Sequence, residues 1–120
     1  MRDGVLQAVV SGRTSGRDAP DLSAWIARDI AEQANREALR RVLIDLRGLA
    51  DRLGSLGELS LASAAPAAVA GYRVAVVDAL ENERYYALHE LAARARGFVL
   101  KCFSSAADAA QWLSRVPMRD

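Results

Sequence analysis

Two kinds of hydrophobic pattern alternate along the chain. Short apolar runs predict buried strands, and stretches in which apolar residues recur every three or four positions predict helices. The predicted strands cover residues 5–10, 42–46, 72–77 and 98–103. The run at 42–46 has four large apolar residues and is followed by Arg47 and Gly48, so it predicts a strand in the middle of a sheet that ends in a sharp turn.

A predicted helix follows each strand. Asp18 caps the first helix, which extends to about residue 40 and carries Pro20 in its first turn. After the second strand, residues 58–69 are rich enough in alanine and leucine to be helical. The third helix is stopped by Gly97, and its predicted apolar stripe is Tyr85, Leu88, Leu91, Ala92 and Ala95. Ser104 or Ser105 caps the last helix.

Strand and helix thus alternate four times. This order predicts an α/β domain with a mainly parallel, four- to five-stranded sheet joined by right-handed crossovers. If neighbouring strands follow each other in sequence, crossovers of one hand place all the helices on one face, as in a four-turn (βα) superhelix. At this length we expect residues 1–120 to form a single domain.

Period-two alternation divides each predicted strand into two sets of side chains. The more apolar sets predict the core: Leu6, Ala8, Val10, Val42, Ile44, Leu46, Tyr72, Val74, Val76, Phe98, Leu100 and Cys102. The other sets mix apolar residues with Gln7, Arg41, Asp45, Arg73 and Lys101. Because a bare face of a parallel sheet is unusual, we expect this second face to be covered by a second subunit, as in a homodimer, or by a flanking segment.

The charge balance bears on the class of partner. The chain has 16 basic and 15 acidic residues, a net charge of +1. This balance provides no overall positive field that would attract nucleic acid or an anionic membrane. No apolar stretch approaches the roughly 20 residues of a membrane span. Cys102 is the only cysteine, so no internal disulfide forms. The sequence predicts a cytoplasmic protein.

Polar residues near the carboxyl ends of the predicted strands form a first candidate site: Ser11, Arg13, Asp45, Arg47 and Asp78. Ligands of parallel α/β sheets bind at this end, so these side chains could hold a polar ligand or an ion. The alternative is structural, with both aspartates capping the turns that follow them. Two carboxylates without a third ligand or a nearby histidine make a poor metal site. We expect no metal and no cofactor.

A second candidate site is a run of leucines, Leu49, Leu53, Leu56, Leu59 and Leu61. They could line a pocket for a lipid or another apolar small molecule, or they could pack one helix onto the sheet. His89, the only histidine, has no nucleophile tied to it in sequence, so we interpret it as an ordinary boundary residue. Cys102 lies on the predicted core face, which favours a small buried hydrophobic side chain. These interpretations predict a protein that is not an enzyme.

Residues 42–48, 72–77 and 96–98, with the closing pattern Phe103, Ala109, Ala110, Trp112 and Leu113, carry a resemblance to a known family. The sequence resembles the SpoIIAA-like branch of the STAS superfamily, named for anti-sigma-factor antagonists, over about residues 5–114. The resemblance implies a four-turn βα superhelix and a non-enzymatic regulatory or ligand-binding module of small bacterial proteins. This fold branch is sometimes compared with Sec14-like lipid carriers.

Antagonists of this superfamily carry Asp-Ser-Ser-Gly after the second parallel strand, where a partner kinase phosphorylates a serine. In the corresponding stretch, residues 53–57, Ser55 is in place, but the preceding aspartate is absent and the following glycine is displaced. The resemblance therefore implies Ser55 as a candidate phosphoacceptor, and the alternative is a loop serine without a role. The function we expect is a non-catalytic regulatory or protein-interaction domain that self-associates. The alternative is an apolar-ligand or lipid-binding domain.

Overall fold

The computed structural model describes residues 4–13, 19–50, 71–80, 83 and 86–115; for residues 11–13, 19–27, 49 and 50 it describes the backbone alone. The elements in these ranges are β1 (Val5–Arg13), α1 (Ala19–Arg36), β2 (Arg41–Ala50), β3 (Arg73–Val77), α2 (Tyr86–Ala95), β4 (Val99–Phe103) and α3 (Ala106–Arg115). The expected helix at 58–69 lies outside these ranges.

The described strands form one parallel sheet in the order β1-β2-β3-β4. The fold is therefore α/β, and the predicted interior position of β2 is confirmed. In register, one row of residues crosses the sheet from Val5 through Arg41 and Arg73 to Val99. The strand order never reverses, because each strand lies beside its predecessor in sequence.

The pairing of β1 with β2 contains a bulge and continues beyond it. Val9 pairs with Asp45, and the next registered pair is Ser11 with Gly48. Between these two pairs β1 advances two residues and β2 advances three, so β2 contains one extra residue. The prediction that β2 ends at residue 46 was wrong, as was the prediction that β1 ends at residue 10. The bulge consists of Leu46 and Arg47, which together lie opposite Val10, and the two strands stay paired through Arg13 and Ala50.

The face that we call the core face carries the main hydrophobic cluster. Its residues in the strands or directly before them include Leu6, Val42, Ile44, Leu46, Tyr72, Val74, Val76, Phe98, Leu100 and Cys102, all buried. Against them pack Ala31 and Ala34 of α1 and Ala93 of α2. Nearly all the residues predicted as core are buried here, and the division of each strand into two faces is confirmed.

The opposite face, which we call the α3 face, has its own cluster. Leu43, Ala75 and Val77 from the strands are buried against Ala109 and Leu113 of α3. The expectation that all helices share one face was wrong for this helix. The handedness rule constrains a helix that connects two parallel strands, and α3 follows the last described strand, so it can cover the face that α1 and α2 leave.

α1 and α2 end in the same backbone motif. At the end of α2, Gly97 has φ of 88°, and the N–H of Phe98 donates to the carbonyl of Ala93 at 3.2 Å. At the end of α1, Ala38 has φ of 55°, and the N–H of Leu39 donates to the carbonyl of Ala34 at 2.9 Å. Both patterns are Schellman motifs. Gly97 was predicted as a stop, whereas α1 ends at Arg36, four residues before the predicted end.

The inward side of α2 agrees with the predicted stripe at Ala92, which packs against the core cluster, and differs from it at the leucines. Leu88 is 49% exposed and Leu91 is 61% exposed, while Ala93 is fully buried and Tyr86 packs against the core cluster. The sequence pattern pointed to the leucines because they are the large apolar residues of this helix. The structure instead brings the smallest side chain close to the sheet.

Candidate functional site

Asp45 and Arg47 form a tight pair beside the bulge of β2. The Asp45 carboxylate accepts the backbone N–H of Arg47 at 3.0 Å. It also accepts two bonds from the guanidinium, from Nε at 3.0 Å and from Nη2 at 2.7 Å. A bulge leaves a backbone donor without a partner in the neighbouring strand, and here an aspartate two residues earlier accepts one such N–H.

The same contacts set the charge state of Asp45. The hydrogen bonds from the Arg47 side chain hold the pKa of the Asp45 carboxyl below its ordinary value, against the opposite effect of its partial burial. The pKa of Arg47 is raised by the same pair. Asp45 is therefore an ionised carboxylate whose acceptors are directed at its own strand, as the structural alternative supposes.

Asp78 belongs to a different cluster. It lies just beyond β3, is 3% exposed, and its carboxylate accepts the N–H of Ala79 at 2.8 Å. The Tyr86 hydroxyl donates to the carbonyl oxygens of Asp78 and Ala79, at 3.1 Å each. Asp45 shares its face with the neighbouring Val77, so Asp78, one residue further, lies toward the core face. The structure does not bring the two aspartates together.

The remaining predicted site residues lie outside what the structure describes in full. Ser11 and Arg13 are in β1, and Leu49 is in β2, each described by its backbone alone. Ser55, Leu53, Leu56, Leu59 and Leu61 are outside the described residues. The polar rim site, the phosphoacceptor and the leucine pocket therefore stay predictions.

Glu90 makes a contact with the sheet that the sequence did not single out. Its carboxylate accepts the backbone N–H of Cys102 at 3.0 Å. Because Val99 donates its N–H to the carbonyl of Tyr72 on the β3 side, alternation directs the N–H of Cys102 outward from the sheet. The Glu90 carboxylate thus accepts a backbone N–H on the outer side of β4. Lys101 adds a charge in the middle of the same strand.

Cys102 donates its backbone N–H to this carboxylate, and His89 precedes Glu90 in α2. Burial raises the pKa of the Cys102 thiol to about 12, and the negative charges of Glu90 and Asp78 act in the same direction. Such a thiol is protonated at neutral pH and is a poor nucleophile. His89 is partly buried, and its Nδ1 atom is shielded from solvent. The predicted roles of both as ordinary packing residues are compatible with this arrangement.

The outer side of β1 contrasts with that of β4. β1 has nine residues against five in β4, and no charged residue or proline occurs between Gly4 and Gly12. Val9, at the middle of β1, is 76% exposed. On the α3 face, α3 packs on β2, β3 and β4, so it closes part of the face that was expected to need a cover.

Three further findings complete the description. Within the residues placed by the structure, no group of three or more His, Cys, Asp or Glu side chains is arranged to hold a metal ion. None of the helices described above is long and apolar enough to cross a membrane. Comparison with known proteins gives no match to a protein-family model, a curated protein or a solved structure.

Proposed function

We propose that this chain is a small, non-catalytic interaction domain that acts through self-association, by pairing the outer side of β1 with β1 of a second copy. The observation that carries the proposal is the contrast between the two outer strands of the described sheet. Natural proteins protect outer strands with charges, short length or covering groups. β4 has all three kinds of protection: it carries the charge of Lys101, it is only five residues long, and the Glu90 carboxylate covers one of its N–H groups.

β1 offers the opposite properties. It is nine residues long, uncharged up to its last residue, Arg13, and carries an exposed valine at its centre. An uncharged strand selects its partner through backbone hydrogen bonds and small apolar side chains, which another copy of the same strand supplies. A two-fold axis makes such a contact self-complementary and closed.

Charge favours the antiparallel arrangement of the two strands. In an antiparallel pair centred on Val9, Arg13 of one copy lies opposite Val5 of the other. The two arginines are then eight residues apart along the strands, or roughly 26 Å. In a parallel pair they would be neighbours and would repel each other. The antiparallel pair also places the two Val9 side chains opposite each other on the α3 face.

The strand order supports the non-catalytic part of the proposal. Open α/β sheets bind cofactors and substrates in a crevice where the strand order reverses. The described order β1-β2-β3-β4 has no such reversal. The resemblance to the SpoIIAA-like branch, with a regulatory role and a cytoplasmic location, belongs to the same proposal. It is supported by the parallel sheet and by a single cysteine that is buried and unpaired.

A cross-linking experiment tests the pairing. Val9→Cys places a thiol at the centre of the proposed contact, and Leu88→Cys places one on an exposed position of α2 as the matched control. Under mild oxidation we expect the Val9 variant to form a covalent dimer of twice 12.9 kDa. The Leu88 variant and the unsubstituted chain, whose own thiol is buried, should stay monomeric on a denaturing gel.

Native mass spectrometry supplies a second, independent measurement. The unsubstituted protein should be a dimer at micromolar concentration. Val9→Lys should dissociate it, because two like charges would face each other across the axis, without loss of folding, because Val9 is exposed. A monomer of the unsubstituted chain at every concentration, or preferential cross-linking through Leu88, would show that β1 is not the interface.

A further inference from the structure

A groove on the α3 face lies where α3 meets the amino-terminal ends of β1 and β2. Its volume is about 420 Å³, which is within the range of roughly 300–1,000 Å³ typical of small-molecule sites. Its lining residues include Val5, Gln7, Arg41, Leu43, Ala110 and Leu113. These are different residues from the leucines that the sequence suggested as a pocket, so the groove is a separate candidate.

One part of the groove is apolar. Leu43 and Leu113 are both buried members of the α3-face cluster, and Val5 packs against that cluster from β1. These positions belong to regular elements, β1, β2 and α3, that are held by strand pairing and core packing. The apolar wall is therefore preformed and suits an aliphatic chain, whose burial is favourable.

The other part of the groove is polar and positively charged. Arg41 and Gln7 line it from neighbouring strands, and none of the described lining residues is acidic. Arg73 lies beside Arg41 in register on the same face. The carbonyl end of α3 carries a partial negative charge of about half a unit, which is smaller than the full positive charge of the Arg41 guanidinium.

Arg41 already takes part in an interaction within the chain. Its guanidinium has five N–H donors, so it can keep that partner and bind a further acceptor. A planar carboxylate matches this fork of donors. Phosphate sites commonly add the N–H groups of a helix amino terminus, whereas this groove meets the carboxyl end of α3, so a singly charged anion suits it better.

We propose that the groove formed by Val5, Gln7, Arg41, Leu43, Ala110 and Leu113 binds an aliphatic carboxylate. The carboxylate contacts Arg41, with Gln7 as a second donor, and the hydrocarbon chain lies along Leu43 and Leu113. The proposal does not depend on self-association, because all the lining residues come from one chain.

Titration of the full chain with octanoate, followed by backbone amide chemical shifts, tests the proposal. We expect saturable shifts centred on Gln7, Arg41 and Leu113. Octanamide has the same shape without the charge and should bind roughly tenfold more weakly, a difference of about 1.4 kcal/mol. Acetate, which lacks the chain, should bind more weakly than octanoate as well.

Two pairs of variants locate the site. Arg41→Gln should weaken octanoate binding roughly tenfold, while Arg94→Gln, an equal change of charge at an exposed position of α2, should leave it unchanged. Ala110→Phe should block the groove, while Ala107→Phe, at an exposed position of α3 outside the lining, should not. Both alanines are exposed, so the variants are expected to fold, and the same spectra verify this.

Three results would overturn the proposal: no saturable shifts at the groove, equal affinity for octanoate and octanamide, or an affinity that Arg41→Gln and Ala110→Phe leave unchanged. The first would mean that the groove is too open to retain a ligand. The second would assign any binding to the apolar wall alone. The third would place the octanoate elsewhere on the protein.

Discussion

Replacing Asp45 decides whether this carboxylate is a structural part of the bulge or a group available to a ligand. In the structure Asp45 accepts the backbone N–H of Arg47 and two guanidinium hydrogen bonds. Asp45→Asn keeps the shape and an acceptor but removes the charge. Asp45→Ala removes the acceptors entirely. If the role is structural, both variants should lower the free energy of unfolding, and the alanine variant should lower it more.

The magnitude follows from the hydrogen bonds. A hydrogen bond to a charged group contributes about 1.5–3 kcal/mol and a neutral one about 0.5–1.5 kcal/mol. We therefore expect a loss of about 1 kcal/mol for Asp45→Asn and about 2 kcal/mol for Asp45→Ala. The ion pair itself adds little, because the Arg47 side chain is 48% exposed and solvent screens it.

The pH dependence provides the sharper test. The pKa of Asp45 is lower in the folded protein than its ordinary value of 3.8, so the folded state favours the ionised form. The resulting stabilisation is fully present above pH 3.8 and is lost as the pH falls through the lower, folded-state pKa. At acidic pH the unsubstituted chain and Asp45→Asn should converge, while Asp45→Ala stays less stable.

Urea denaturation followed by circular dichroism at neutral and acidic pH measures these differences. Asp29→Asn, at an exposed position of α1, is the matched control for loss of one negative charge. If Asp45→Asn is as stable as the unsubstituted chain at neutral pH, or if its deficit persists in acid, the structural assignment fails. The carboxylate would then become a candidate ligand group again.

Three further predictions follow from the helix ends and the core. Ala38→Gly should stabilise the protein by about 0.5–1 kcal/mol and Gly97→Ala should destabilise it by about 1 kcal/mol, because a left-handed conformation costs an alanine more than a glycine; thermal unfolding checks both, and the same sign for the two changes would contradict the motif. The Cys102 thiol, with its pKa raised to about 12, should react with a thiol reagent at pH 8 only after denaturation, and rapid labelling of the folded protein would contradict its burial. Leu113→Ala should cost about 3 kcal/mol in chemical denaturation, and a loss as small as that of a surface change would show that α3 is only loosely attached.

The strand faces could be predicted from the sequence because a parallel sheet imposes a strict period of two. Once the apolar run at 42–46 was identified, the assignment of Val42, Ile44 and Leu46 to the core face followed from alternation alone. The bulge could not be predicted, because it depends on the pairing of two distant segments. Within the sequence, Arg47 and Gly48 are equally compatible with a turn that ends the strand.

The helices were harder to orient for a physical reason. α2 contains many alanines, so its amphipathic pattern is weak, and the choice of inward side depends on how closely the helix approaches the sheet. The fully buried Ala93 allows a close approach and turns Leu88 and Leu91 outward. The groove could not be predicted from the sequence either. Alternation placed Gln7 and Arg41 on one face of the sheet, but only the position of α3 encloses them in a groove.

The width of the sheet explains why one helix closes only part of the α3 face. Four strands about 4.8 Å apart span roughly 14 Å between the axes of the outer two, while a helix with its side chains is about 10 Å across. α3 packs on β2, β3 and β4, and Val9 and Gln7 of β1 stay exposed. Pairing two β1 strands would join the two sheets edge to edge. The joined sheet would then form one continuous surface between the two α3 helices, and both grooves would open toward that surface.

This geometry separates the two proposals experimentally. If the lining residues of one copy suffice for binding, octanoate should bind with the same affinity at protein concentrations where the dimer forms and where it dissociates. By linkage, octanoate should then leave the dimerisation equilibrium unchanged. Analytical ultracentrifugation with and without octanoate measures this. Tighter binding to the dimer would mean that the partner copy contributes to the site, and the groove would then have to be described as part of the interface.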